Sequence, residues 1–510
     1  MSPSRATFAV ADQSAQPHSP MPSLRALFKE TAIYGMSSIV GRFLNYLLVP
    51  LYTSKMAVES GGYGVITNMY AYTALLLVIL TYGMETAFFR FSNKEGTDAG
   101  RVFSTALISV GFTSLLFTAA VIVFIRPIST AMGYGDHPSY VWVMAATVAL
   151  DAFQCIPFAY LRLKKKAWKF AALKLLFIVM NICLNIMFFI VLPYFHAKGA
   201  AWAGSIYDPG VGAGYAFYIN LACTAGITPL FYKELRAAPR VFDASLLRRM
   251  LSYGWPILVL GIAGILNQTA DKILFPYIYK GPGDAHAELG IYGAASKIAM
   301  IMAMITQAFR YAYEPFVFGS AKARDSRETY AKAMKYFIVF TLMAFLLVTG
   351  YMYILRYIIG RGYWSGLRVV PIVMAAEIMM GVYFNLSFWY KLTDKTIWGA
   401  VFSGAGCAVL IGINIVFVPR CGYMACAWGG FFGYATAMTL SYIVGQRVYP
   451  ISYPVKEIAA YTVLAAILAA GMSLSNSHLA MLPALAVNTL LVSVFAATII
   501  KKEIKTIIRR

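Results

Sequence analysis

The chain has 510 residues, of which 60% are hydrophobic and 13% charged, with a formal net charge of +22. A chain this apolar is not a soluble domain; its apolar runs reach about twenty residues, enough to cross a bilayer as helices, whose backbone groups are bonded internally. The basic residues sit in short clusters between those runs, as in the cytoplasmic loops of membrane proteins, so the charge does not point to a nucleic-acid partner.

Residues 1–22 are rich in Ser, Pro, Ala and Gln and lack the apolar core of a cleavable signal, which predicts a disordered tail. Leu24, Leu27 and Phe28, with Arg25 and Lys29 opposite, form an amphipathic lead-in. Fourteen membrane-spanning helices are then predicted. The first six lie near 30–53, 63–89, 102–125, 139–161, 170–192 and 211–232. The next six lie near 249–275, 289–317, 336–359, 367–390, 396–418 and 423–445, and a last pair near 457–475 and 479–500. The expected fold is therefore an all-α polytopic membrane protein. Its parts are an N-lobe over 23–232, a cytoplasmic linker over 233–248, a C-lobe over 249–446, and a last helix pair with a basic tail over 447–510.

Most of the 43 Lys and Arg residues fall on one side of this arrangement. They include Arg162, Lys164, Lys165, Lys166 and Lys169 in one loop, Arg236, Arg240, Arg248 and Arg249 in another, and Lys501 to Arg510 at the C-terminus. The positive-inside bias places that side, and both termini, in the cytoplasm. No loop is long enough to hold an acceptor domain, and no Walker A, HExxH or GxSxG sequence is present. Neither catalytic residues nor a nucleotide-driven step is expected. The six cysteines lie in or beside apolar runs without metal-ligand spacing, so no metal site is expected. The many Tyr and Trp residues, Trp364 and Trp389-Tyr390 among them, are expected at the membrane interfaces.

The chain also carries an internal echo. Tyr63-Gly64 and Glu85 recur at the same spacing as Tyr292-Gly293 and Glu314, with Phe89 and Phe318 four residues further on. A second Tyr-Gly pair precedes each copy, at 34–35 and 253–254. Six spans separate the copies, which makes the halves parallel repeats about an axis along the membrane normal.

A charge at the centre of a span costs about 2.5–3.5 kcal/mol, so each one requires a reason. Arg42 lies in the first span, Glu85 near the inner end of the second, Asp151 in the fourth and Glu377 in the tenth, none with an opposite charge one turn away. Asp271 and Lys272 are adjacent in the seventh; the eighth carries Lys297, then Arg310 and Glu314, a turn apart and able to neutralise each other. Lys174 and Arg90 lie near enough to the inner face to snorkel. The polar faces of the first, second, seventh and eighth helices are expected to converge on a wet cavity. Glu85, Glu314, Asp151, Asp271 and Glu377 are the candidate coupling or gating acids. No cofactor is expected, and the coupling ion stays open between a proton, sodium and none.

The runs IYGMSSIVGRFLNYLLVPLYTSKM (33–56), TYGMETAFFRF (81–91), ILNQTADKILFPY (265–277) and LGIYGAASKIAM…ITQAFRYAYEPFVF (289–318) resemble lipid-linked oligosaccharide flippases. These are the O-antigen and polysaccharide exporters of the multidrug/oligosaccharidyl-lipid/polysaccharide superfamily. The resemblance implies two six-helix lobes in a V, a central cationic cavity and alternating access. It also implies a substrate: oligosaccharide repeat units on undecaprenyl pyrophosphate, moved to the periplasmic leaflet of the bacterial inner membrane for polysaccharide or lipopolysaccharide assembly. The two C-terminal helices match the lipid-flipping branch. Arg42, Lys272 and Lys297 would meet the anionic headgroup, with Arg310 as a further contact; Lys272 stands where the pattern leads us to expect arginine. Membrane lipids and other polysaccharide-assembly proteins are the further partners. Two other readings stay open at this point: a drug or metabolite exporter of the same superfamily, and a membrane-embedded glycan polymerase or ligase.

Overall fold

The computed structural model describes residues 46–94, 98–237, 239, 241–320, 326–393 and 395–508. The described residues form helices joined by turns, with no strand, in keeping with the all-α expectation. In chain order the main helices are α1 (Leu48–Lys55), α2 (Gly62–Thr81), α3 (Met84–Ser92), α4 (Ala99–Val123), α5 (Pro138–Leu163), α6 (Ala167–Ile186) and α7 (Gly214–Ile227). The second half holds α8 (Ala244–Ile278), α9 (Ala285–Ser320), α10 (Ser326–Gly350), α11 (Val370–Leu386), α12 (Ile397–Cys421) and α13 (Tyr423–Val448). The last pair is α14 (Val455–His478) and α15 (Met481–Ile508).

Eleven helical stretches among the described residues are long and apolar enough to cross a membrane. The expected first span lies mostly outside the described residues. The sixth is a 14-residue helix, α7, that passes into a 3-10 turn at Thr228–Phe231. The twelfth, α13, has 26 residues but is diluted by glycine and tyrosine, and it is not among the eleven.

The expected second span is two helices. Tyr82 (φ 34°) and Gly83 (φ 71°) both adopt left-handed backbone, which ends α2 and starts α3. Left-handed φ is costly for tyrosine and free for glycine, so the pair is a built break rather than a frayed end. Gly83 is also required by proximity: a Cβ there would lie 2.7 Å from the carbonyl oxygen of Gly254 in α8. The prolines within spans behave differently: Pro157 in α5 and Pro256 in α8 sit inside continuous helices.

Two ends of the bundle differ. At the end carrying residues 54–62, 279–284 and 351–369, here the low-charge end, one cluster of buried side chains runs across both halves. It joins Tyr52, Tyr63 and Met69 to Leu289, Tyr292, Tyr363 and Met374. Hydrogen bonds clasp the halves there: the Gly360 N–H donates to Thr53 Oγ1 (2.9 Å) and the Tyr363 hydroxyl to the Met56 carbonyl (3.1 Å). At the opposite, basic end, α8 starts at Asp243, whose carboxylate accepts from the Leu246 N–H (2.9 Å) and pairs with Arg101 (3.1 Å). Glu234, in the short helix Tyr232–Ala237, is 2% exposed and meets Lys166 at 3.2 Å and Lys169 at 2.5 Å. Burial raises its carboxyl pKa, but the two lysines outweigh that and hold it below the usual range.

The helices pack through polar contacts as well as apolar ones. Asn267 of α8 donates to the Ser403 carbonyl of α12 (2.8 Å), and Asn488 of α15 to the Gly350 carbonyl at the end of α10 (2.8 Å). Trp389 and Tyr390, expected in an interfacial belt, are instead core residues at 3% and 7% exposure. The Trp389 indole donates to the Ser441 carbonyl, a partner that an amphipathic ring finds in protein as readily as at a headgroup.

Candidate functional site: a charged cavity between the halves

A cavity of about 510 Å³ lies between the two halves. Its described wall includes the expected second, seventh and eighth spans (α2, α8 and α9) and adds α11, α12 and α13; the expected first span lies mostly outside the described residues. Four ionisable side chains line it: Asp271 and Lys272 from α8, Lys297 from α9 and Glu377 from α11. The chain reaches this arrangement because α8 and α9 form a hairpin whose polar positions face α2.

The four groups differ in how well they are satisfied. Asp271 is buried, accepts from the Tyr292 hydroxyl (2.7 Å) and pairs with Lys272 Nζ (3.1 Å). Lys272 Nζ also donates to the Gln268 carbonyl (2.8 Å). Lys297 has no hydrogen bond or ion pair among the described residues, and the charge acting on it is the like charge of Lys272. Glu377 Oε2 is buried with no hydrogen-bond partner among the described residues, where Lys272 is the cation within its electrostatic reach. Two acids and two bases thus share the cavity, yet Lys297 and Glu377 do not neutralise each other. An unpaired charge in a low-dielectric interior is expensive, and among the described residues this asymmetry makes the cavity the candidate ligand site.

Above the cavity, toward the low-charge end, α2 and α9 touch backbone to backbone. A Cβ at Gly64 would stand 1.7 Å from the His286 carbonyl oxygen and 3.0 Å from the Gly290 nitrogen. The two repeated Tyr-Gly pairs therefore meet near one crossing, since a Cβ at Gly293 would meet Thr67 Oγ1 at 2.4 Å. Asn68 tethers this seal to the cavity: it donates to the Lys272 carbonyl (2.7 Å) and accepts from the Tyr134 hydroxyl (2.7 Å), which lies 3.1 Å from His286 Nε2. Sequence reasoning did not single out Asn68, Tyr134 or His286. The available signal was Asn68, a lone amide inside an apolar run.

The remaining candidates are placed elsewhere. Arg42 and the Glu314 side chain lie outside the described residues. Glu85 forms an ion pair with Arg162 at the end of α5, and Arg162 Cζ lies 5.0 Å over the Phe89 ring. Asp151 accepts from Thr224 of α7 (3.3 Å) and feels Lys174 of α6, a polar cluster within the first half. Arg310 stacks at 5.0 Å over Phe384, beside a small pocket nearer the basic end.

The Glu85–Arg162 pair has side chains 41% and 33% exposed, and such pairs contribute about 0–1 kcal/mol. Glu85→Gln is therefore expected to leave membrane abundance within about twofold of the parent. If the pair closes the basic end, Glu85→Arg slows transport and the added Arg162→Glu restores it. Quantitative blotting with a transport assay reads both, and no rescue by the reversed pair removes the closing role.

Comparison with known proteins places this geometry. The family described as "Polysaccharide biosynthesis protein" matches residues 27–312, more than half of the 510-residue chain. "Lsg locus putative protein 1" of Haemophilus influenzae is 20% identical over 307 residues, covering 58% of this chain and 67% of that protein. Among solved structures, lipid II flippase MurJ in an inward closed conformation superimposes with a TM-score of 0.69 at 12% identity, over 92% of this chain and 99% of that one. A MATE family transporter of the MOP superfamily, in an inward-facing conformation, gives 0.63 at 15% identity over 84% and 98%. At these identities the structural likeness is one of fold: the two-lobed helical architecture of these flippases and transporters. With the family match covering residues 27–312, the chain belongs to the polysaccharide biosynthesis protein family, and it is a multi-pass membrane protein that shares the fold of these two solved structures.

Proposed function

We propose that the protein is a flippase that moves polyprenyl-pyrophosphate-linked oligosaccharide repeat units, of the O-antigen or polysaccharide type, from the cytoplasmic to the periplasmic leaflet of the bacterial inner membrane. The observation that carries this reading is Lys297, an ammonium in a membrane-embedded cavity beside a second lysine and without an ion-pair partner among the described residues. A pyrophosphate supplies the missing negative charge. Lys272 can turn from Asp271 toward such a headgroup because the Tyr292 hydroxyl still satisfies the acid. Lysine offers a mobile point charge here rather than a fixed fork, which suits a ligand that must also leave.

Transport by this reading is alternating access. The seal at Gly64 and Gly290 holds the low-charge end shut while the headgroup enters from the basic end. In this orientation, which the distribution of basic residues supports, both termini are cytoplasmic. Reconstitution tests the proposal. Purified protein in vesicles should move an undecaprenyl-pyrophosphate-linked oligosaccharide between leaflets and leave its covalent structure intact. A lipid-linked glycan that is lengthened or transferred would replace the flippase with an enzyme; one that stays in its leaflet would end the proposal.

A further inference from the structure

A second cavity lies apart from the central one. A pocket of about 890 Å³ opens at the low-charge end of the first half, between α1, α2, the start of α5 and the segment that follows α6. We propose that it is a carbohydrate site, which takes sugar rings of the repeat unit at the low-charge end once the seal at Gly64 and Gly290 has opened. This rests on the flippase reading and adds to it the place where the glycan is held.

Flat apolar surfaces ringed by hydrogen-bonding groups suit a pyranose, which has C–H faces and a rim of hydroxyls, and the pocket has both. His137 and Tyr140 stack at 4.8 Å with their planes 8° apart, and Tyr207 and Tyr215 at 5.4 Å and 15°. The Tyr140 hydroxyl donates to the Val211 carbonyl (2.9 Å), and Tyr215 to the Asp208 carbonyl (3.1 Å), which fixes both rings against the 208–211 wall. The Tyr194 and Tyr207 hydroxyls, the His137 ring nitrogens and the Lys55 ammonium line the same space and have no hydrogen-bond partner among the described residues. A π-helical segment, Met187–Val191, supplies Phe189, Ile190 and Val191 to the opposite wall; such widened turns recur at binding sites.

The chemistry favours sugar over the alternatives. Aromatic anchors of a membrane interface turn toward lipid, whereas these rings pair with one another inside a cavity. A prenyl chain would want a continuous apolar wall, and a phosphate more than one lysine. The pocket's remaining wall, Lys55 to Gly62, is the segment clasped to the second half through Met56 and Tyr363, so an occupant sits against the seal.

The test uses the lipid-free oligosaccharide released by mild acid from the lipid-linked glycan that accumulates when the protein is depleted. It is titrated into the full-length protein in detergent. Tyr207→Ala and His137→Ala are expected to weaken binding about tenfold, Tyr207→Phe less, and Lys297→Ala not measurably. Melting temperatures show whether each variant is folded, and Tyr207→Phe keeps the ring should Tyr207→Ala not fold. Parental binding by Tyr207→Phe and His137→Ala together, loss of binding in Lys297→Ala, or no binding by the parent overturns the proposal. Leaflet transport with no oligosaccharide binding would discard the pocket and keep the flippase. Oligosaccharide binding without leaflet transport would discard the flippase and keep the pocket.

Discussion

Gly64→Leu is expected to abolish transport while the protein still accumulates in the membrane. At Gly64 the first contacts of any side chain are backbone atoms of α9, the nearest at 1.7 Å. Backbone cannot give way as a flexible side chain can, so the added side chain must part α2 from α9. Overpacking of this kind costs about 1–3 kcal/mol when a core must absorb it, but an interface between moving halves can open instead. The variant should therefore rest with its low-charge end open. The check is a cysteine at Ser296, which lines the cavity with its hydroxyl buried. In an otherwise Cys-free background, Ser296→Cys should resist an impermeant thiol reagent applied from the low-charge side and react once Gly64→Leu is added. Parental transport by Gly64→Leu would show that closure at this crossing is not part of the cycle.

Lys297→Met is expected to move stability and activity in opposite directions. Removing an uncompensated ammonium from a membrane interior recovers a share of the about 2.5–3.5 kcal/mol that a central charge costs. The melting temperature in detergent should rise or hold, while transport falls by about a hundredfold or more, the equivalent of about 2.7 kcal/mol or more in the transport step. Were Lys297 half of a structural ion pair, both quantities would fall together, because breaking such a pair leaves the partner acid buried alone. Lys297→Arg should keep part of the activity and Lys297→Glu none, since the cavity would then hold three acids against one base. Glu377→Gln serves as the companion: with that acid neutral the described cavity carries one net positive charge, so transport should persist, and any pH dependence that comes from a proton on Glu377 should be lost. A variant that keeps the parental pH profile would release Glu377 from any coupling role.

The charged cavity was largely legible in the sequence because charges inside apolar runs are costly and therefore conspicuous. Asp271, Lys272, Lys297 and Glu377 stood out in that way, and the fold gathers all four. Glu85 and Asp151 stood out for the same reason but belong to other contacts. Their neighbours, Arg162 and the Thr224–Lys174 group, come from separate helices, and a search one turn along the same helix cannot see them. Arg162 was hidden further by being read as a loop residue, whereas α5 runs to Leu163. The echo of Tyr-Gly pairs marked two halves, but only the packing shows what the glycines are for: they let α2 and α9 approach without side chains between them. Trp389 and Tyr390 went astray because aromatic rings with one polar atom suit a headgroup region and a protein core about equally well.

The break at Tyr82–Gly83 has a mechanical consequence. A single rod through the bilayer would carry any displacement at one mouth straight to the other, and a transporter built that way would risk opening both at once. The left-handed pair instead makes α2 and α3 two arms of an articulated joint. The first arm rests on α9 through Gly64 and on α8 through Asn68, and the second on the start of α8, where Gly83 lies against Gly254 and Arg90 lies 4.1 Å over the Tyr253 ring. In the proposed flippase cycle such a joint would let one mouth unlatch while its opposite stays shut, so that ion gradients across the membrane survive each passage of cargo.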